Sequence, residues 1–300
     1  MKIVITGSTG MLGQALIERL QPSHQLIGIA RHPGSPGGTM RRVTCDLSRP
    51  EAVETLCAAA PEVIIHTAAM SDVDACERDA AQAQRDNVDA TQHVVDATQR
   101  SRAFLVAIST DYVFDGTKEA VYTEEDDPHP ISVYGRTKWL AEERIRQIID
   151  RWVILRTSTL YGPGRESFID RIAAAAGRGD PVLAFRDQTT SPTYTVDLAD
   201  AIARLLDQVT PDTSPEGIFH ATNAGYCTRL EFAQYVLSVL GYPSACVTPV
   251  VLAEETLPAP RPGMVALSNQ RWNEVFGWQV RPWEEAVREY LTWKQSHSTR

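Results

Sequence analysis

The chain has 300 residues, of which 43% are hydrophobic and 22% are charged, and its formal net charge is -9. These values are typical of a globular enzyme with a sizeable buried core, and the acidic balance argues against binding to nucleic acid or to an anionic membrane. No apolar run approaches the roughly 20 residues that span a bilayer. The apolar stretch between Lys2 and Thr6 is too short for the hydrophobic region of a signal peptide. The five cysteines include no Cys-x-x-Cys pair. We therefore expect a cytoplasmic protein with reduced thiols and no structural metal.

The chain begins with a short strand, a glycine-rich turn and a helix. The apolar residues 2–6 predict a buried strand, and a helix is expected from the turn to residue 20. Gly7, Gly10 and Gly13 give the turn the spacing Gly-x-x-Gly-x-x-Gly. Such glycines permit a tight turn, let backbone N–H groups approach phosphates, and let the helix pack closely on the strand. The turn therefore predicts a site for a dinucleotide pyrophosphate, the alternative being a glycine-rich turn that binds no cofactor.

The second and third strands bear on the choice of coenzyme. Residues 25–30 predict a strand that ends at Arg31, where an acidic residue would bind the ribose 2′-hydroxyl of NAD. An arginine suits a 2′-phosphate, so Arg31 favours NADP(H), the alternative being a solvated arginine at a strand end. After the third strand, predicted over 42–45, Asp46 is placed to meet the adenine amino group.

Apolar strands and helices alternate through the first half of the chain. Further strands are predicted at 62–66, 103–108 and 152–156, and helices at 51–60, 81–100 and 132–150. Nearly continuous apolar strands separated by helices predict a parallel sheet that is covered on both faces. The predicted fold class is therefore α/β, with a doubly wound parallel sheet of the Rossmann type.

The regular alternation fades beyond residue 161. Helices are predicted within the segments 167–178, 193–207, 228–240 and 282–293, and a strand at 217–221. We expect residues 1–160 to form an NAD(P)-binding Rossmann domain, to which segments at about 190–220 return. A smaller C-terminal α/β domain, expected to bind substrate, would comprise residues 161–189 and 221–300.

A tyrosine and a lysine four residues apart are candidates for catalysis. Tyr134 and Lys138 occupy positions i and i+4 of a predicted helix and therefore share one face. A phenol titrates near ~10, but a neighbouring ammonium and the positive nicotinamide of an oxidised coenzyme would lower its pKa. Thr110 follows the fifth strand, at the edge where open α/β sheets bind ligands. The three side chains together suit the polarisation of a carbonyl during hydride transfer, although a surface helix also produces a Tyr-x3-Lys pair by chance.

The motifs taken together resemble those of a known family. They are Thr6-Gly7-x-x-Gly10-x-x-Gly13, Asp46-Leu47, His66-Thr67-Ala68-Ala69, Asn87-Val88, Ser109-Thr110-Asp111-Tyr112-Val113-Phe114-Asp115-Gly116, Tyr134-Gly135-x-x-Lys138, Arg156-Thr157-Ser158 and Arg261-Pro262. Over nearly its whole length the chain resembles the dTDP-4-dehydrorhamnose reductase family, which belongs to the extended short-chain dehydrogenases/reductases.

This resemblance implies roles for individual residues. Thr110, Tyr134 and Lys138 would be catalytic, with Tyr134 as the proton donor. Asp111, Tyr112 and Arg261 would contact the substrate, the alternative for Arg261 being a salt bridge within a loop. The residues expected to bind the coenzyme are Gly7, Thr9, Gly10, Met11, Leu12, Arg31, Asp46, Leu47, Ala68, Ala69, Tyr134 and Lys138.

The resemblance also implies an activity. This is the reduction by NADPH, or by NADH, of the 4-keto group of a nucleotide-linked 6-deoxy sugar, above all of dTDP-4-dehydro-L-rhamnose to dTDP-L-rhamnose. The expected partner is this small substrate and neither nucleic acid nor a membrane, and the expected state is a monomer or a homodimer. One alternative is an epimerase or dehydratase with tightly held NAD, which predicts an acidic residue where Arg31 stands. Another is a non-catalytic NADP-binding regulatory subunit resembling that of methionine adenosyltransferase, against which the intact Thr, Tyr and Lys set argues.

The chain departs from the family pattern at three places that border the expected substrate pocket. Met70 and Thr159 stand where aromatic residues are usual, and residues 263–268 differ from the usual sequence. Some members bind magnesium through acidic residues, one of which lies early in the first helix. Gln14 and Ala15 supply no such carboxylate. We therefore expect no metal.

Overall fold

The computed structural model describes residues 1–32, 40–210, 212–243 and 246–297. Its strands are β1 (Lys2–Thr6), β2 (Gln25–Ala30), β3 (Arg41–Thr44), β4 (Val63–His66), β5 (Phe104–Thr110), β6 (Trp152–Thr157), β7 (Leu160–Tyr161), β8 (Val182–Phe185), β9 (Thr189–Thr190), β10 (Thr193–Tyr194), β11 (Gly217–His220), β12 (Cys227–Thr228) and β13 (Val247–Val250). Its α-helices are α1 (Met11–Leu20), α2 (Ala52–Ala58), α3 (Val73–Arg78), α4 (Ala80–Ala83), α5 (Ala90–Ser101), α6 (Val133–Ile148), α7 (Phe168–Arg178), α8 (Thr195–Leu206), α9 (Arg229–Val239), α10 (Gln270–Phe276) and α11 (Trp283–His297).

Seven strands form one central sheet in the order β3-β2-β1-β4-β5-β6-β11. Every neighbouring pair in this sheet is parallel. Ile3, Val4 and Ile5 of β1 are fully buried, as a strand with a covered face on each side requires. The order places β1 between β2 and β4, which is the arrangement of dinucleotide-binding sheets. The predicted fold class is confirmed.

Helices cover both faces of the sheet. On one face α1 and α8 pack against the strands, and Leu16 and Ile202 are fully buried there. On the other face α2, α5 and α6 contribute Leu56, Val94 and Ile145 to a second core. The strand order runs one way from β1 to β3 and the other way from β4 to β11, and ligands bind at this reversal, beyond the carboxyl ends of the strands.

A third apolar core lies among the C-terminal elements. The helices α7, α9 and α11 pack together with β8 and β13, and Phe232, Val236 and Val287 are fully buried in it. A capping box begins α9, where Thr228 and Glu231 exchange side-chain and backbone hydrogen bonds. Three two-stranded pairings lie outside the central sheet: β7 with β10, β9 with β12 and β8 with β13.

The single helix predicted over 81–100 is wrong in its detail. The structure divides it into α4, a π-helical turn (Gln84–Asp89) and α5. The Asp79 side chain caps α4 by accepting from the N–H of Gln82. Asn87, inside the π-helical turn, instead holds both backbone groups of Met70, which adjusts the helix locally. The prediction also lacked α3, α10, β8 and β13, which are short elements with little periodic pattern of their own.

Among the described residues, no helix is both long and apolar enough to cross a membrane. In the same parts of the chain, no group of three or more His, Cys, Asp or Glu side chains is arranged to hold a metal ion. The expectation that the protein binds no metal stays a prediction.

Candidate active site

The strands bring the predicted residues together at one edge of the sheet. Gly7 follows β1, Asp111 follows β5 and Ser158 follows β6. The register pairs Thr6 with His66 and Thr110 with Thr157, so these parallel strands end nearly level. Open α/β sheets bind their ligands beyond this edge.

The glycine-rich turn fits the pyrophosphate of a dinucleotide. Gly7 has a φ of 67°, and a Cβ there would lie 2.8 Å from the backbone nitrogen of Ala68. A Cβ on Gly13 would overlap the carbonyl oxygen of Gly7. Gly10 is the N-cap of α1, with no side-chain cap among the described residues and no acidic residue in the first turn. The N–H groups of Met11 and Leu12 therefore face no competing carboxylate, which suits an anion.

Replacing Gly13 by alanine is expected to weaken NADPH binding by at least about tenfold, which is about 1.4 kcal/mol. The added methyl group would push α1 away from the turn, because the obstructing atom belongs to the backbone. Titration of nicotinamide fluorescence measures the dissociation constant. Gly177→Ala is the control, since a Cβ at this position in α7 meets only the Tyr242 hydroxyl at 4.0 Å. Equal affinity in both variants would contradict the assigned role of the turn.

The remaining residues predicted to bind the coenzyme lie along the same edge. Arg31, directly after β2, is exposed, and its Nη1 atom lies 2.9 Å from Oδ2 of Asp86, so its role at a 2′-phosphate stays a prediction. Asp46, after β3, accepts hydrogen bonds from the backbone and the hydroxyl of Ser48. The others lie in the turn or after β3 and β4: Thr9, Leu47, Ala68 and Ala69.

The predicted catalytic side chains converge between β5 and α6. Ser132 caps α6 by accepting from the N–H of Gly135, and this cap positions Tyr134 in the first turn. Tyr134 is half-buried, while Thr110 and Lys138 are buried. The Thr110 side chain lies beside the Tyr134 hydroxyl and favours the phenolate. The Nζ atom of Lys138 donates to the carbonyl oxygen of Ile108 at 2.8 Å.

The acidities of these groups differ from the expectation. Burial raises the pKa of Tyr134, and the neighbouring Thr110 side chain only partly opposes this. Burial lowers the pKa of Lys138 to about 8, and the Glu142 carboxylate opposes that shift. The predicted lowering of the Tyr134 pKa by Lys138 is therefore not produced by these side chains alone, because desolvation of the phenol dominates.

Asp111 and Tyr112 lie next to the predicted catalytic residues, in a 3₁₀ turn (Asp111–Val113). The Tyr112 ring meets the Tyr134 ring edge to face, with centroids 5.9 Å apart. Asp111 is 3% exposed, and its two carboxylate oxygens accept from the hydroxyls of Thr110 and Ser158. Both oxygens thus accept from protein hydroxyls, and the contact of Asp111 with substrate stays a prediction.

Arg261 forms a salt bridge with a residue of α3, and its contact with substrate stays a prediction. Its Nη2 atom lies 2.8 Å from Oδ1 of Asp74, and its Nη1 donates to the carbonyl of Ala259. The following residue, Pro262, accepts from Gln188 at 3.4 Å, and Gln188 also reaches the Tyr112 hydroxyl at 3.5 Å. The Arg261 loop therefore borders the site, while its guanidinium is held by Asp74.

Sequence reasoning missed a buried ion pair beneath the site. Arg156 donates to both carboxylate oxygens of Glu142, at 3.0 and 2.7 Å, and both side chains are at most 3% exposed. Ser109 donates to the same carboxylate. Arg156 stood in a quoted motif, but the helix pattern alone gave no reason to bury Glu142. The pair ties α6 to β6, directly below Lys138.

Comparison with known proteins agrees with the family that the motifs resemble. Residues 1–296 match the family model described as the RmlD substrate binding domain. The chain belongs to this family. A Bacillus subtilis member, the spore coat polysaccharide biosynthesis protein SpsK, is 32% identical over 98% of each chain. A Streptomyces antibioticus member, a probable dTDP-4,6-dihydroxy-2-methyloxan-3-one 4-ketoreductase, is 34% identical over 96% of this chain and 94% of that protein.

A solved structure of a family member agrees with the fold over almost the whole chain. The dTDP-4-dehydrorhamnose reductase from Bacillus anthracis, in complex with NADP, has a TM-score of 0.87 and 30% identity. The alignment covers 97% of this chain and 98% of that one. The resemblance predicted from the motifs is confirmed. The candidate site therefore lies in a fold that this chain shares with a reductase of the same family.

Proposed function

We propose that this chain is an NADPH-dependent reductase of the 4-keto group of a nucleotide-linked 6-deoxy sugar, acting on dTDP-4-dehydro-L-rhamnose to give dTDP-L-rhamnose. The observation that carries the proposal is the meeting of Thr110, Tyr134 and Lys138 at the sheet edge, beside an open glycine-rich turn. The printed names of relatives add support, since they include a 4-ketoreductase and a dTDP-4-dehydrorhamnose reductase in complex with NADP.

Each side chain of the site has a separate role in the reduction. The coenzyme supplies a hydride when it is bound. Tyr134 gives its hydroxyl proton to the substrate oxygen, and the raised pKa keeps that proton in place until charge develops on the oxygen. Thr110 orients the carbonyl, and the charge of Lys138 stabilises the anionic site. The turn of Gly7 and Gly10 holds the pyrophosphate.

The direct test mixes purified protein, NADPH and dTDP-4-dehydro-L-rhamnose and follows absorbance at the nicotinamide band. Rapid oxidation of NADPH with formation of dTDP-L-rhamnose is expected. Tight NADPH binding without turnover would overturn the rhamnose assignment, and other dTDP-linked 4-keto sugars would then be assayed. Neither alternative activity is favoured: Arg31 stands where a tightly NAD-binding epimerase would carry an acid, and the Thr, Tyr and Lys set is intact.

Arg31→Ala is expected to lower the affinity for NADPH about tenfold and to leave the affinity for NADH nearly unchanged. A hydrogen bond to a charged group contributes about 1.5–3 kcal/mol, and only NADPH carries the 2′-phosphate. Separate binding titrations with the two reduced coenzymes measure the ratio. Arg100→Ala is the matched control, because Arg100 is another exposed, ion-paired arginine, bound to Glu54. An equal loss for both coenzymes would refute phosphate recognition by Arg31.

We further propose the division of the chain into residues 1–160, with returning segments at 190–220, for the coenzyme, and residues 161–189 and 221–300 for the substrate. The separate core of Phe232, Val236 and Val287 supports this division.

Arg261 is proposed to contact the substrate diphosphate by exchanging Asp74 for phosphate oxygens. A cytoplasmic monomer or homodimer that binds no nucleic acid is proposed from the net charge of -9 and the unpaired cysteines.

A further inference from the structure

A line of polar side chains leads from the Tyr134 hydroxyl to the loop after β6. Thr110 neighbours Tyr134 and donates to Oδ1 of Asp111 at 2.9 Å. On the far side of the carboxylate, Oδ2 of Asp111 accepts from Ser158 at 2.5 Å. The Ser158 hydroxyl lies 2.7 Å from that of Thr190. Four of the five members named here are buried, and Tyr134 is half-buried.

The last member of this line is Thr159. Its hydroxyl lies 2.5 Å from that of Thr190, and its side chain is only partly buried. Thr159 has a φ of 40°, which is unusual and strained for a β-branched residue. Strain of this kind collects at functional sites. The Thr159 hydroxyl connects the buried hydroxyls with the partly exposed loop after β6.

We infer that Asp111, Ser158, Thr190 and Thr159 form a proton relay that returns a proton to Tyr134 after each reduction. This inference rests on the proposed reductase function. When Tyr134 has given its proton to the substrate oxygen, the Asp111 carboxyl passes a proton to Thr110, and Thr110 passes its own to the Tyr134 oxygen. Asp111 is left as a carboxylate. It regains a proton through Ser158, Thr190 and Thr159 from solvent, so one proton enters for each one consumed.

The surroundings of Asp111 suit a group that exchanges a proton. Burial raises the pKa of Asp111 to about 6, while the hydrogen bonds from Ser158 and Thr110 oppose the shift. The charged and titratable groups that face it are the Arg229 guanidinium, which favours the carboxylate, and the phenols of Tyr112 and Tyr134. Asp111 therefore changes protonation close to neutral pH, unlike an ordinary exposed aspartate.

Thr190→Val tests the relay, because it removes one hydroxyl from the middle without touching Tyr134, Thr110 or Asp111. Rapid mixing of NADPH-loaded protein with substrate measures the first turnover, and the following linear phase measures the steady state. Tyr134 begins protonated, so the first turnover should stay within about twofold of wild type. The steady-state rate should fall at least about fivefold, because proton return becomes limiting, and its solvent deuterium isotope effect should rise.

Two further variants separate the relay from a structural effect. Thr157→Val removes a buried hydroxyl that has no hydrogen-bond partner among the described residues. Its first-turnover rate and its steady-state rate should both match those of the wild type. Thr190→Ser keeps the relay hydroxyl and should restore the steady-state rate. If Thr190→Val and Thr157→Val have the same steady-state rate, or if the first turnover of Thr190→Val falls equally, the relay is refuted.

A measurement without coenzyme or substrate keeps the inference distinct from the proposed function. Infrared titration of the purified protein should show a protonated carboxyl band with a midpoint near the pKa of about 6. The band should vanish in Asp111→Asn and persist in Thr157→Val. Its absence from wild type overturns the relay even if turnover is seen. Its presence in a protein that fails to turn over the dTDP sugar overturns only the substrate assignment.

Discussion

Replacing Tyr134 by phenylalanine is expected to lower kcat by about 10²–10⁴-fold, the usual contribution of a positioned acid. The change removes the hydroxyl that gives the proton and leaves the ring packed against Tyr112. Coenzyme affinity should change little, because the glycine-rich turn and the end of β2 are untouched. Steady-state NADPH oxidation gives kcat, and fluorescence titration gives the dissociation constant.

Tyr161→Phe is the matched control for this loss of a phenol. The Tyr161 side chain is 1% exposed, and its hydroxyl has no hydrogen-bond partner among the described residues. Its removal should leave kcat within about twofold of wild type. A Tyr134→Phe protein that keeps more than about a tenth of wild-type kcat would show that another group supplies the proton, since positioned acids contribute far more than this.

Replacing Arg156 by methionine is expected to lower the free energy of unfolding by about 3–5 kcal/mol. The Glu142 carboxylate would remain buried with Ser109 as its one remaining partner of those described, because Arg156 now donates to both of its oxygens. An isolated charge in that position is strongly disfavoured by desolvation. Urea unfolding followed by circular dichroism measures the loss.

The exposed pair on the same helix serves as the control for Arg156. Arg146 and Glu143 lie 2.6 Å apart, but half of the Arg146 side chain is exposed. Arg146→Met should therefore cost no more than about 1 kcal/mol. Combining Arg156→Met with Glu142→Leu should recover most of the lost stability, because no unpaired charge is then buried. A double variant as unstable as the single one would mean that the pair holds β6 and α6 in place by its geometry and not by charge balance.

Near neighbours in the chain explain what could be predicted. The run Ile3-Val4-Ile5 is buried on both faces, so its apolar pattern marks a central strand without reference to distant residues. The spacing of Gly7, Gly10 and Gly13 is a property of one turn and the helix that follows it. The placement of Tyr134 and Lys138 on one face depends only on helical geometry. The parallel sheet, the glycine-rich turn and the Tyr134–Lys138 pair could be predicted from the sequence for this reason.

Distant pairings explain what could not be predicted. Ser158 and Thr190 are 32 residues apart, and Arg261 and Asp74 are 187 apart. No periodic pattern links such positions, and a serine or threonine carries the same local signal whether it lies in a surface loop or in a buried network. The π-helical turn around Asn87 likewise depends on the backbone of Met70, which lies outside the helix.

The sequence by itself determined a doubly wound parallel sheet, a glycine-rich turn for a pyrophosphate and a Tyr–Lys pair beside Thr110, because each arises from interactions within one or two elements. Only the tertiary structure decided the acidity of the side chains in the site and the hydrogen bonds that they form. Packing around Tyr134 raises its pKa, and the loop after β6 places the Ser158 hydroxyl on Asp111. Desolvation and long-range hydrogen bonds depend on which elements come together, and that information resides in the folded chain as a whole.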